Sequence, residues 1–215
     1  MRRALSLSVG MLMVAATVHA QTPAAAVPDR GYVQVVADSA FGNVTSQSFG
    51  AEVGVTVRPD LQVFGAFGNV RDVATAELGA SAQTIAGALS QLQPGTVSYS
   101  VKQPATFFVG GVRYRIATSS KVKPYVAAGA GVAMVKKDVN FLINGTDVTT
   151  TLSQFVTLGS DVTGDESAFM FTVGGGVVYP VWHQLFVDLH YHFAHISTET
   201  SIIVNRVGLG LGITF

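Results

Sequence analysis

From Arg206 to Phe215 every second side chain is large and apolar, and the residues between are mostly glycine. In an extended chain Val207, Leu209, Leu211, Ile213 and Phe215 fall on one face. Arg206, Gly208, Gly210, Gly212 and Thr214 fall on the other, because successive strand side chains point to opposite sides. The same period recurs upstream. Ala51, Val53, Val55 and Val57 oppose Glu52, Gly54, Thr56 and Arg58, and Val187, Leu189, Tyr191 and Phe193 oppose Asp188, His190 and His192. A soluble sandwich or barrel turns its apolar stripe inward and exposes Lys, Glu and Thr. Here the second stripe is small and glycine-heavy with a few charges, as a narrow interior demands. Alternating segments of about ten residues are the mark of strands that span a membrane with their apolar face toward lipid.

Composition agrees. Of 215 residues, 12% are charged, 48% are hydrophobic and 23 are Gly, against about 25% charged in an average soluble chain. Beyond the first twenty residues no apolar run reaches the about 20 residues of a spanning helix. Backbone polar groups must find partners inside a bilayer, which leaves the closed barrel. The first twenty residues read as a secretory signal. Arg2 and Arg3 form the charged start, Ala4 to Thr17 the apolar middle, and Val18-His19-Ala20 the cleavage site. The expected division is a signal peptide over 1–20, a periplasmic lead-in over 21–30 and a barrel over 31–215. Removing Arg2 and Arg3 leaves 11 of the 13 basic residues against 13 acidic, a net charge of −2. That balance excludes nucleic acid as a partner, which selects clustered Lys and Arg. With no Cys there is no disulfide, no thiolate metal site and no cysteine nucleophile. No cofactor is implied.

Strands are expected at about 31–38, 47–57, 61–70, 105–117, 122–135, 168–179, 184–195 and 203–215. Arg58-Pro59-Asp60, Thr118-Ser119-Ser120-Lys121 and Pro180-Val181-Trp182-His183 supply short turns. Longer polar stretches lie at 39–46, 71–104, 136–167 and 196–202. Loop and turn alternate, so the fold class is all-β: an eight-stranded antiparallel transmembrane barrel with both termini at the turn end. Short periplasmic turns with longer external loops are the usual asymmetry of such barrels. Within 71–104, Leu78, Ala82, Ile85, Leu89 and Leu92 recur at helical spacing before Pro94-Gly95. A short amphipathic helix is expected there, capping the barrel mouth or resting on the membrane surface. In 136–167, Asn144-Gly145 between Val139–Ile143 and Thr146–Leu152 signals a hairpin. The expectation is strand extensions above the membrane; a hairpin that entered the membrane would give ten strands. Trp182, in a periplasmic turn, reads as an interface anchor.

The segments Lys123-Pro-Tyr-Val-Ala-Ala-Gly-Ala-Gly-Val-Ala133, Leu185-Phe-Val-Asp-Leu-His-Tyr-His-Phe193 and Asn205-Arg-Val-Gly-Leu-Gly-Leu-Gly-Ile-Thr-Phe215 resemble the OmpA/OmpX-like outer-membrane barrels. The likeness covers most of 31–215 and concerns the barrel domain only. It implies an integral protein of the cell outer membrane, surrounded by lipid and lipopolysaccharide. It also implies that Phe215, a terminal aromatic after alternating apolar residues, is the signal read by the barrel-assembly machinery. An extracellular ligand is left to the loops.

Parity sends Glu52, Arg113, Arg115, Asp188, His190, His192 and Arg206 into the lumen. An eight-stranded barrel is just wide enough for its own side chains, and isolated buried charges are very costly. These seven are therefore expected to form an ion-pair network that plugs the bore, with a narrow pore as the alternative. Asp188-x-His190-x-His192 puts a carboxylate and two imidazoles on one face, a partial metal set without an evident fourth ligand, and no metal is assigned. His195-Ile-Ser197 resembles the His-x-Ser of outer-membrane lipid A deacylases. The orienting Glu that family carries on the following strand is replaced here by Leu209, and the nearest acid, Glu199, shares the loop. A dyad without its third group is a poor catalyst, so no catalytic residue is assigned and the chain is read as a non-enzyme.

Overall fold

A computed structural model describes residues 30–92, 95–151 and 164–215. The expected signal peptide and residues 21–29 of the lead-in lie outside them. The elements in chain order are β1 (Gly31–Gly42), β2 (Ser46–Arg58), β3 (Leu61–Val70), α1 (Ala76–Leu92) and β4 (Val97–Lys102). After these come β5 (Ala105–Arg115), β6 (Lys123–Ile143), β7 (Thr146–Asp147), β8 (Gly164–Trp182), β9 (Leu185–Ile196) and β10 (Ile202–Thr214). Eight antiparallel strands, β1, β2, β3, β5, β6, β8, β9 and β10, close into a ring through the β6–β8 and β1–β10 pairings. No helix among the described residues is long and apolar enough to cross a membrane.

The ring inverts the burial of a soluble protein. Val35, Phe108, Val132, Phe169 and Leu209 are exposed on the outer face, Val35 at 62% and Phe108 at 60%, while Gln34, Glu52, Arg113, Asp188 and Arg206 are buried inside. In β6 the outward stripe runs Val126, Ala128, Ala130, Val132, Met134 and then Lys136, where the apolar band ends. Trp182 closes β8 at 69% exposure, its ring 5.1 Å from that of His183 at the turn end of the barrel.

Several boundaries depart from the sequence expectation, and β8 takes residues 180–182 of the expected turn into the strand. Strand β1 runs on to Gly42, so the loop expected at 39–46 shrinks to 43–45. Strand β6 reaches Ile143, well beyond 135, and β8 begins at Gly164, not 168. A strand absent from the expectation, β4, pairs with residues 138–143 of β6, and β7 pairs with its tip. These pieces stand beyond the ring. The Asn144-Gly145 turn, with φ of 52° and 81°, joins β6 to β7 there, and the barrel keeps eight strands.

Helix α1 starts where Thr75 Oγ1 accepts the Leu78 amide at 3.2 Å, an N-cap. Its face of Leu78, Ala82, Ala86 and Leu89 packs with Val139 and Phe141 of β6. Both β6 residues share the strand face that carries Tyr125 and Val135 into the lumen, so the helix lies on the lumenal side of the extension. Thr200, in the β9–β10 loop, donates its hydroxyl to Glu77 of the helix. The helix thus reaches across the mouth. Beneath it the outer part of the interior holds Val70, Phe107, Val135, Met170, Ile196 and Ile202, all buried. The interior is thus apolar toward this end and polar toward the turns.

Candidate functional site

The polar part of the interior is built on glycine. A Cβ at Gly54 would collide with the Tyr32 ring, one at Gly210 would lie 2.8 Å from Gln34 Oε1, and one at Gly208 would overlap Asp38. Each large inward side chain of β1 lies flat over a glycine of a neighbouring strand. The glycine stripe is therefore the space into which these polar groups fold.

Two linked clusters occupy that space. In the first, Arg113 sits 2.5 Å from Glu52 Oε1 and 3.6 Å from Asp188 Oδ2. Its guanidinium lies between two rings, 4.6 Å from the Tyr32 centroid and 4.0 Å from that of Tyr125. Tyr32 donates to Glu52 at 2.6 Å, Tyr125 donates to Asp188 at 2.8 Å, and Gln34 donates to both carboxylates. The cation and both anions thus have hydrogen-bonded partners, which burial of charge requires. In the second cluster His190 Nε2 lies 2.8 Å from Asp38 Oδ1, with Arg206 3.8 Å from the other Asp38 oxygen. Arg206 also covers the Phe107 ring at 4.5 Å. His190 Nδ1 lies 3.8 Å from Asp188 and joins the two clusters.

Of the seven residues that parity sends inward, the structure brings Glu52, Arg113, Asp188, His190 and Arg206 together. His192 contacts this group through its ring, 5.0 Å from that of His190. Arg115 does not join. It donates to the Pro59 carbonyl at 2.6 Å, because its place at the end of β5 puts the guanidinium at the turn. Sequence reasoning missed Asp38 and the neutral partners Tyr32, Gln34 and Tyr125. Asp38 escapes because the expected first strand ends at it; the continuing alternation, with Asp38 and Ala40 inward and Phe41 outward, is the available signal. Asp188 accepts from Tyr125 and Gln34 while His190 pairs with Asp38, and among the described residues no group of three or more His, Asp or Glu could hold a metal ion.

At the outer rim His195 Nδ1 and Ser197 Oγ are 3.5 Å apart and exposed, a long contact. The imidazole stacks on Phe171 at 5.3 Å. Glu199 donates its backbone amide to Glu166 Oε1 at 3.2 Å.

A profile of the outer membrane protein beta-barrel domain matches residues 7–215. The chain belongs to that family. This outer-membrane barrel is similar in structure to neisserial surface protein A, at 16% identity and a TM-score of 0.56 over 86% of this chain and 97% of that one. A major outer membrane protein from Thermus thermophilus gives 9% identity and a TM-score of 0.56, over 86% of this chain and 99% of the other. The N-terminal β-barrel domain of Pseudomonas aeruginosa OprF gives 15% identity and 0.47, over 85% and 99%. No curated protein matches the chain. The outer-membrane barrel is located in the cell outer membrane, and its exposed valine, leucine and phenylalanine stripes are its lipid face.

Proposed function

We propose that the protein serves a structural and surface-interaction role, with its bore plugged by its own side chains and its outer helix and strands presented to the exterior. One observation carries the reading. Arg113 spans the interior between Tyr32 and Tyr125 while bound to Glu52, and it is 3% exposed. The buried layer from Phe107 to Ile202 and the helix above it add a second barrier. Lipopolysaccharide as the surrounding lipid, the assembly machinery as the reader of Phe215, and an extracellular ligand at the loops belong to the same proposal. Among the described residues no carboxylate is bonded to the His195–Ser197 rim contact, and the protein is read as a non-enzyme.

The test is conductance in planar bilayers. Wild-type protein should give no resolved unitary steps, and single-channel currents that respond to substitution of Arg113 would favour the narrow pore. One observation lends that alternative weight: cavities of about 100 Å³ and 30 Å³ occupy the lumen near this layer, the larger on its turn side. Lipid A incubated with wild type and Ser197→Ala should be recovered unchanged in both cases.

A further inference from the structure

The larger of these cavities opens at the end of the barrel where the β2–β3, β5–β6 and β8–β9 turns gather, the periplasmic end of an outer-membrane barrel. Among the described residues the charged side chains at this end are mostly basic, Arg30, Arg58, Arg115, Lys121 and Lys123 beside Asp60. Among the described residues, Arg113, Arg115, Lys123 and His183 line the cavity and no carboxylate side chain does. Glu52 and Asp188 neutralise Arg113 from the other side, which leaves the wall toward the periplasm basic.

The rest of the wall is apolar. Val178, Pro180, Leu185 and Phe186 face the basic groups, and Tyr32 and Tyr125 turn ring surface to the same space because their hydroxyls are committed to Glu52 and Asp188. A volume of about 100 Å³ is several times what one water needs. Basic donors at one side and ring and aliphatic carbon at the other fit an anion that has an apolar body. A planar carboxylate matches a guanidinium in charge and geometry.

We propose that this cavity binds a small organic carboxylate from the periplasm, its anionic group held by Arg113, Arg115 and Lys123 and its body against Val178, Pro180 and Phe186. Arg115 is the group to alter, because it lies at the mouth and outside the buried network. The protein is purified from outer membranes in detergent and titrated calorimetrically with sodium benzoate, with neutral benzamide and with sodium phosphate. Benzoate should saturate one site, and the other two should bind about tenfold or more weakly, the scale of losing one charge-assisted contact or the apolar one. Arg115→Gln and Lys123→Gln should each weaken benzoate by a similar factor, while Arg115→Lys keeps most of the affinity and Lys102→Gln, beyond the opposite end of the ring, keeps all of it. Heat-modifiable migration checks that every variant is folded. Equal affinity for benzamide would reduce the site to an apolar hole, and equal affinity for phosphate to a diffuse basic patch. No saturable benzoate binding, or no change in Arg115→Gln, would overturn the proposal outright.

Discussion

Arg113 and Glu52 stand 61 residues apart in the chain and 2.5 Å apart in the barrel. The contact crosses the strands between them, with β3 lying between β2 and β5. It forms only when the ring has its correct register. Both residues are buried, so loss of one leaves the other charged and uncompensated.

Glu52→Ala should therefore cost about 3–5 kcal/mol, the usual penalty for breaking a buried pair, read as a lower urea midpoint in detergent. Glu52→Gln with Arg113→Met together should cost less than the sum of the two single changes. His195→Ala and Ser197→Ala, at the exposed rim, should stay within about 0.5 kcal/mol of wild type. If the two buried singles proved equally mild, the charges would not depend on each other.

The glycine seats give a sharper contrast. A methyl at Gly54 meets the Tyr32 ring, whereas one at Gly65 meets nothing within 4 Å. Gly54→Ala should lose about 1–3 kcal/mol by overpacking and should disturb the Tyr32–Glu52 bond. Gly65→Ala should be neutral or slightly stabilising. Equal unfolding midpoints for the two variants would refute this account of the glycine stripe.

The alternation made the ring legible, because period two sustained over ten or more residues fits a strand and no helix. Glu52, Asp188 and Arg206 followed from it directly. Apart from Asp38, at the expected end of the first strand, what escaped lacked charge or length. Tyr32, Gln34 and Tyr125 are neutral, and only the fold reveals that they bridge charges on other strands. The six-residue β4 sits inside a long connection where Val97, Tyr99 and Val101 alternate too briefly to stand out. Arg115 illustrates the converse. Its parity is correct, but parity says nothing about height, and at the end of β5 the side chain meets Pro59. The apolar layer under α1 was missed because its members come from many strands, one or two from each.

Helix α1 and the outer ends of the strands form a cluster of their own. Phe141→Ala should remove about 3–5 kcal/mol of local packing and expose α1 to added protease. The ring below shares no buried residue with that cluster, so heat-modifiable migration should remain. Loss of both together would mean that the barrel needs its cap.

Phe215 is exposed, and its ring covers Gly31, while its carbonyl accepts from the amides of Arg30 and Gly31. Phe215→Asp keeps those backbone bonds and removes the aromatic end. Folded protein in the outer membrane should fall severalfold, measured by fractionation, while refolding in detergent should stay close to wild type. Undiminished membrane levels would separate this residue from any assembly role.

Strand β6 carries Tyr125 in the lumen and Phe141 in the outer cluster on one unbroken strand, paired with β8 as far as Lys137 and with β4 beyond it. The 16 residues from one to the other amount to roughly 53 Å of strand, or about 40 Å of height at the tilt usual for such barrels. A lipid-facing band is about 25 Å tall, so the cluster's stand-off from the membrane is set by a ruler. Such a ruler has coarse graduations. Adding one residue to a strand would swap its two faces, so changes that preserve the faces come in pairs, each raising the tip by about 5 Å. The exposed tip can therefore shift its reach above the lipid face only in steps.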